Sequence, residues 1–151
     1  MVANSIDDLA QGSMAYFPHD SNAESDIKCQ RLIMRRGYDG YGRWWRMCEH
    51  LASIKGHAVP FETQEDKLLL GITLGFGGGS YEDLMTIEEV ESFVNELLSI
   101  GLLTRNRNGE LENSRMHENA KYFGKKKAAG HKGGRPRKNT SASKTTGEKR
   151  F

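Results

Sequence analysis

The residues with the clearest chemistry in this chain are the cations near its end. From Lys121 to Phe151 there are eleven Lys/Arg against one acidic residue, Glu148, a net charge of +10. The other 120 residues carry eleven Lys/Arg against 19 Asp/Glu, a net −8, so the overall +2 conceals two opposed parts. Each lysine or arginine that neutralises a phosphate releases condensed counterions, so such a run binds nucleic acid without reading its sequence. Lys125, Lys126, Lys127, Lys132, Arg135, Arg137 and Lys138 are the contacts expected of it, with duplex DNA as the partner. Gly134-Arg-Pro136, flanked by Lys132, Arg137 and Lys138, has the form of an extended hook. Such a segment fits a narrow A·T minor groove, where the negative potential is greatest.

A second set of cations lies earlier. Lys28, Arg31 and Arg35 share one face of a predicted helix, and Arg43 and Arg46 point away from the core on the next. Arg105 and Arg107 sit on a predicted hairpin. Singly each is an ordinary solvated charge; as a set they form a secondary contact surface. Other chemistries lack their residues. No paired carboxylates and no Ser/His constellation stand at useful spacing, so the chain reads as a non-enzyme with no catalytic residues. Cys29 and Cys48 are too few for a disulfide framework. His50 and His57 lie near Cys48 in sequence, yet no C-x-x-C or H-x-x-x-H pairing exists, so no metal or cofactor is expected. Gly75-Phe-Gly-Gly-Gly-Ser80 has no preceding strand and no following Gly-Lys-Ser/Thr, and reads as a linker.

The elements that must position these groups are organised around Asp26 to Ile54. Tyr41, Trp44, Trp45, Cys48, Leu51 and Ala52 recur at helical spacing, and Cys29, Leu32 and Ile33 cluster on one side of the segment before them. Gly37-Tyr-Asp-Gly-Tyr-Gly42 joins the two segments, predicting a helical hairpin that anchors the core with both tryptophans. Asp26 or Ser25 caps the first helix. Thr63 caps a third helix from Gln64 to about Leu74, with Leu68, Leu69, Ile72 and Phe76 as its buried side. A capping box from Thr86 to Glu89 opens a fourth, running to about Ile100, with Val90, Val94, Leu97 and Leu98 inward and Gly101 closing it. Leu102 to Arg105 and Glu110 to Asn113 flank an Asn-Gly turn, a two-stranded ribbon. Ser114 to Phe123 adds a last, frayed helix.

The fold class that follows is mostly α with a small β-hairpin, α+β, in a winged-helix-like outline. Residues 1–13 read as a disordered leader, 14–120 as the winged-helix-like domain and 121–151 as a disordered basic tail with no apolar face to bury. Met1 and Met14 both stand as starting residues. No apolar run nears the roughly 18 residues a membrane helix needs. Met1 to Gly12 is acidic and lacks a signal-peptide core, so a cytoplasmic protein is expected, with no membrane partner.

Tyr16-Phe-Pro-His-Asp20 with Asn22 and Asp26, Gly37 to Gly42, Glu89 through Ile100-Gly-Leu-Leu103, and the Gly-Gly-Arg-Pro-Arg-Lys run at 133–138 occur here in that order. In them the sequence resembles the N-terminal domain of phage and prophage replication proteins related to DnaD, a group that includes domains of unknown function. The resemblance spans about Met14 to Asn139 and implies a winged-helix module of a replisome-organising or primosomal protein. Longer relatives continue into a second helical domain, and its helicase-loading role does not carry over.

The helix before the wing is the usual groove reader of winged-helix proteins. Here its outward positions are Glu88, Glu89, Glu91, Ser92, Asn95, Glu96 and Ser99, which would repel phosphates. The body is therefore expected to serve protein contact or oligomerisation, with replication proteins and further copies of itself as partners to test. A transcriptional regulator reading a specific operator is the alternative, and the acidic helix speaks against it.

Overall fold

Five α-helices, two single-turn 3-10 helices and three short strands make up the fold of the residues that the computed structural model describes, 5–77 and 87–132. In chain order the α-helices and strands are α1 (Ile6–Gln11), α2 (Ile27–Ser53), β1 (Ala58–Val59), α3 (Gln64–Thr73), α4 (Ile87–Ile100), β2 (Thr104–Arg105), β3 (Leu111–Glu112) and α5 (Ser114–Lys132). Asp26 starts the central element: its carboxylate accepts the Lys28 and Cys29 amide hydrogens at 2.9 and 3.3 Å. Within α2 the backbone of Gly37 leaves the helical region, at φ 66 and ψ −169. That left-handed φ suits glycine alone among common residues, so the break falls there. The limbs 27–36 and 38–53 fold back on one another, and Cys29 and Cys48 line one cavity. The expected six-residue glycine turn is thus a break at one residue. Gly40 belongs to the second limb and is buried, because the Arg36 and Leu32 side chains pack over its bare Cα.

The hairpin supplies Cys29, Leu32, Trp44, Met47, Cys48, Leu51 and Ala52 to the core. Of the two tryptophans only Trp44 is fully buried. Trp45 is half-buried under a stack with His19, ring centroids 3.6 Å apart, and Phe17, at 6.2 Å. Against the hairpin lie Val90, Val94 and Leu97 of α4, as their spacing predicts, together with Phe93 and Ile100, whereas Leu98, expected inward, is only partly buried.

In α3 the expected buried face is corrected. Leu70, Gly71 and Leu74 are buried, whereas Leu68, Leu69 and Ile72 are exposed by 38%, 58% and 66%. The uninterrupted run Leu68-Leu69-Leu70 with Ile72 and Leu74 allowed two helical faces, and contact with α4 selected the Leu70–Leu74 pair. Phe76, half-buried, meets Phe93 at 5.7 Å. The Thr63 cap is as predicted: its hydroxyl accepts the Asp66 amide hydrogen while the Asp66 carboxylate accepts that of Thr63. The cap expected at Thr86 lies outside the described residues, as does the glycine linker beyond Gly77.

Gly101, at φ 91, ends α4: its amide donates to Leu98 O and the Leu102 amide to Leu97 O, closing a Schellman turn. The predicted ribbon pairs Thr104 with Glu112 and Arg105 with Leu111. Its turn is a five-residue loop, 106–110, held by Asn106, whose side-chain oxygen accepts the Asn108 and Glu110 amide hydrogens, with Gly109 left-handed at φ 76. The segment read as an extended bridge adds a third strand. Ala58 and Val59 pair with Glu112 and Leu111, making an antiparallel sheet in the order β1-β3-β2.

Both ends of the body depart from expectation. Part of the supposed leader is α1, with Ser5 accepting the Asp8 amide hydrogen and Ala10 buried. The last helix is not frayed at Phe123; α5 runs 19 residues to Lys132, into the stretch expected to be disordered. The two elements make each other: α1 lies across α5 at Gly124, where an added Cβ would stand 2.9 Å from Ile6 O and 3.1 Å from Ala10 N. His57, 1% exposed, fixes α1 from the other side, its ring nitrogens 2.8 Å from Leu51 O and 2.9 Å from Ala10 O. Among the described residues no helix is long and apolar enough to cross a membrane.

Candidate nucleic-acid interface

Asn113 caps α5, accepting the Met116 amide hydrogen at 2.9 Å and donating to Leu102 O at 2.7 Å, so the helix leaves the sheet in a fixed direction. Met116, Ala120 and Gly124, one turn apart, form its buried side. The remainder is basic. Lys121, Lys125, Lys126 and Lys127 are exposed, and the helix ends at Lys132. Lys126 Nζ lies 4.7 Å above the Tyr122 ring, and a hydrogen bond with Tyr122 raises its pKa above the ordinary lysine value, keeping it charged. Arg135, Arg137 and Lys138, with the Arg-Pro hook, lie outside the described residues. The sequence alone reads these lysines as a formless tail and leaves Lys121 out of the named contacts. The signal that could have found the helix is the spacing of Met116, Ala120, Gly124 and Ala128, a stripe for a close partner.

The earlier cations are mostly engaged within the body. Lys28 Nζ donates to Gly101 O at 3.2 Å, Arg35 stands 3.9 Å from Glu96, and Arg36 donates to the Ser92 hydroxyl at 2.7 Å. This side of α2 therefore lies along α4 and meets its acidic outer face. Arg43 and Arg46 do not simply point away from the core. They donate to Leu74 O and Thr73 O at 3.2 Å each, capping the negative end of α3, and Arg43 also covers Phe76. Arg105 folds over the turn to Gly109 O, 5.9 Å from the Phe61 ring centre. Arg115 pairs with Asp20. Arg31, Lys55 and Arg107 are exposed with no such partner among the described residues.

The outer face of α4 has the composition the sequence predicts, and it is partly neutralised inside the molecule. Glu91 pairs with Lys67 at 2.8 Å and Glu96 faces Arg35, while Glu88 and Glu89 are exposed. A helix whose carboxylates already hold the neighbouring cations presents nothing attractive to a phosphate.

A cavity of about 180 Å³ lies between the Phe17–Asp26 segment, α2 and the start of α5, with Trp44, Trp45, Cys29 and Cys48 among its walls. Burial pushes the Cys29 thiol pKa up and that of Cys48 up to about 12, so both are protonated, weak nucleophiles. Burial, then Arg46, lowers the His50 pKa. His57 is turned toward α1 rather than toward Cys48. Among the described residues no three His, Cys, Asp or Glu side chains are placed to hold a metal ion.

The model of the Lin1244/Lin1753-like N-terminal family matches residues 16–111, so the chain belongs to this family, a domain of unknown function. The match covers α2 through the start of β3, and α1 and α5 lie beyond its two ends. No curated protein and no solved structure matches the chain.

Proposed function

We propose that this is a non-enzymatic, DNA-associated protein whose body serves protein contact or oligomerisation and whose basic C-terminal arm holds the nucleic acid. The observation that carries the reading is the setting of the lysines. Lys121, Lys125, Lys126 and Lys127 are exposed on a helix anchored to the body through Met116, Ala120 and Gly124. Cations carried on a formed helix lose less freedom on meeting a phosphate backbone than those of a free chain do. A winged-helix reading of the body is supported by its order, helix–strand–helix–helix–strand–strand, with the sheet order β1-β3-β2. The acidic α4 argues for protein contact over groove reading, and the exposed Leu68, Leu69 and Ile72 offer apolar surface for it. The finer reading, a module of DnaD-like phage replication proteins, rests on Tyr16 to Asp20 with Asn22 and Asp26, Gly37 to Gly42, Glu89 to Leu103 and the Gly-Gly-Arg-Pro-Arg-Lys run at 133–138, in that order.

Duplex titrations at several salt concentrations test the reading. Replacing Lys121, Lys125, Lys126 and Lys127 together by Gln should weaken binding and flatten the slope of log K against log salt, by roughly 0.9 for each phosphate no longer neutralised. A chain ending at Lys132 should keep the α5 contacts and lose any preference for A·T-rich duplex that the Arg135–Arg137 hook supplies. A quadruple variant that binds with the parental affinity and salt slope refutes the proposal.

A further inference from the structure

We infer that Tyr16 and Tyr122, with the α5 lysines around them, form a platform for single-stranded nucleic acid; this rests on the reading that α5 meets nucleic acid and adds which form of it. Neighbouring rings before α2 have different partners: Phe17 stacks on the Trp45 ring, while Tyr16 meets Phe123 edge-on, centroids 4.9 Å apart at 77°. Tyr122 meets the same Phe123 edge-on from the helix, at 5.5 Å and 67°. Phe123, partly buried against the core, thus touches both tyrosine rings. Both remain largely in water, Tyr16 by 66% and Tyr122 by 54%. Lys126 lies over Tyr122. Lys121 and Lys125 are exposed beside Tyr122, with no partner among the described residues.

An edge-on contact takes up only part of a ring and Lys126 covers one face of Tyr122, so the ring surface each tyrosine keeps in water is what a base can stack on. In a duplex, base faces are covered by their neighbours, so an outward ring has nothing to stack on. In a single strand they are free, and aromatic rings beside cations are the usual means of holding them without regard to sequence. Lysines that neutralise the backbone within one helical turn of the rings supply the second half of such a surface. Glu118, exposed one turn before Tyr122, is the carboxylate on this part of α5 that opposes it.

The full chain is titrated with an oligo-dT strand and with a duplex of equal length by fluorescence anisotropy. Tyr16→Ala with Tyr122→Ala should lower single-strand affinity by about 5- to 100-fold per ring and leave duplex affinity unchanged. Tyr→Trp at both positions should restore it, a result that lost folding would not give. A 2-aminopurine base in the strand should be quenched on binding the parent chain, a readout that needs no variant. If duplex binding stands but the alanine variant binds the single strand as the parent does, or 2-aminopurine is not quenched, the platform is wrong and the nucleic-acid reading survives. Equal losses on both DNA forms also overturn it. A parent chain that binds neither form removes both.

Discussion

The contact of α1 with α5 makes a prediction whose sign depends on the partner helix. At Gly124 an added Cβ would stand 2.9 Å from Ile6 O, 3.1 Å from Ala10 N and 3.3 Å from Ala10 Cβ. Two of these are backbone atoms, which cannot rotate aside, so α1 would have to shift or lift. Overpacking of this kind costs about 1–3 kcal/mol. In the opposite direction, alanine in place of glycine inside a helix stabilises by roughly 1 kcal/mol. In the full chain Gly124→Ala should therefore range from near neutral to about 2 kcal/mol destabilising, the difference of those terms. In a chain starting at Ser13 the clash is gone and the same substitution should no longer destabilise, gaining at most about 1 kcal/mol where α5 stays helical without α1. Met14 keeps its bond to Ala52 O in that shorter chain, so the body retains its edge. Urea unfolding followed by far-ultraviolet circular dichroism measures all four species. Equal stabilisation of both chains by Gly124→Ala would show that α1 does not lie on Gly124, and the account of both ends would fall with it.

Other substitutions test the interior and its charges. Trp44→Ala should cost about 3–5 kcal/mol and Trp45→Ala clearly less, because Trp45 is half-exposed under His19; equal losses in urea unfolding would contradict that division. The Asp66 carboxylate is bonded to the Thr63 and Glu62 amides, which hold its pKa below the ordinary carboxylate value. A depressed folded-state pKa adds stability that is complete above the unfolded value and lost as pH falls through the folded one. Asp66→Asn should therefore flatten the acid limb of the stability–pH curve, and an unaltered acid limb would refute the cap. With burial pushing Cys48 to about 12 and Cys29 upward, neither thiol of the folded chain should react appreciably with an aromatic disulfide reagent at about pH 8, while both should on unfolding. Stoichiometric labelling of the folded protein would show the hairpin interior to be open.

What the sequence made legible follows from how locally each element is determined. The Asp26 cap, the Thr63 cap, the inward face of α4, the Gly101 stop and the ribbon turn each depend on residues within a few positions, and all stand where their spacing puts them. Partner choice was not local. Leu68 to Ile72 could face either way until α4 took up Leu70, and Trp45 shares the apolar period of Trp44 but is covered by a segment more than twenty residues earlier. The same reason accounts for the two ends. Neither Ile6–Gln11 nor the second half of α5 has an apolar face that would hold alone, and a six-residue helix is far below the length that is stable in water. Their small residues, Ala10 and Gly124, become meaningful only as a pair across more than a hundred positions, with the His57 ring 2.9 Å from the Ala10 carbonyl oxygen. The candidate surface inherits this dependence: Lys121 to Lys127 read as a solvated tail until α1 supplies a reason for the helix that carries them. Their exposure and fixed arrangement are therefore consequences of the buried Gly124 contact, and altering that contact should change nucleic-acid affinity without removing a single charge.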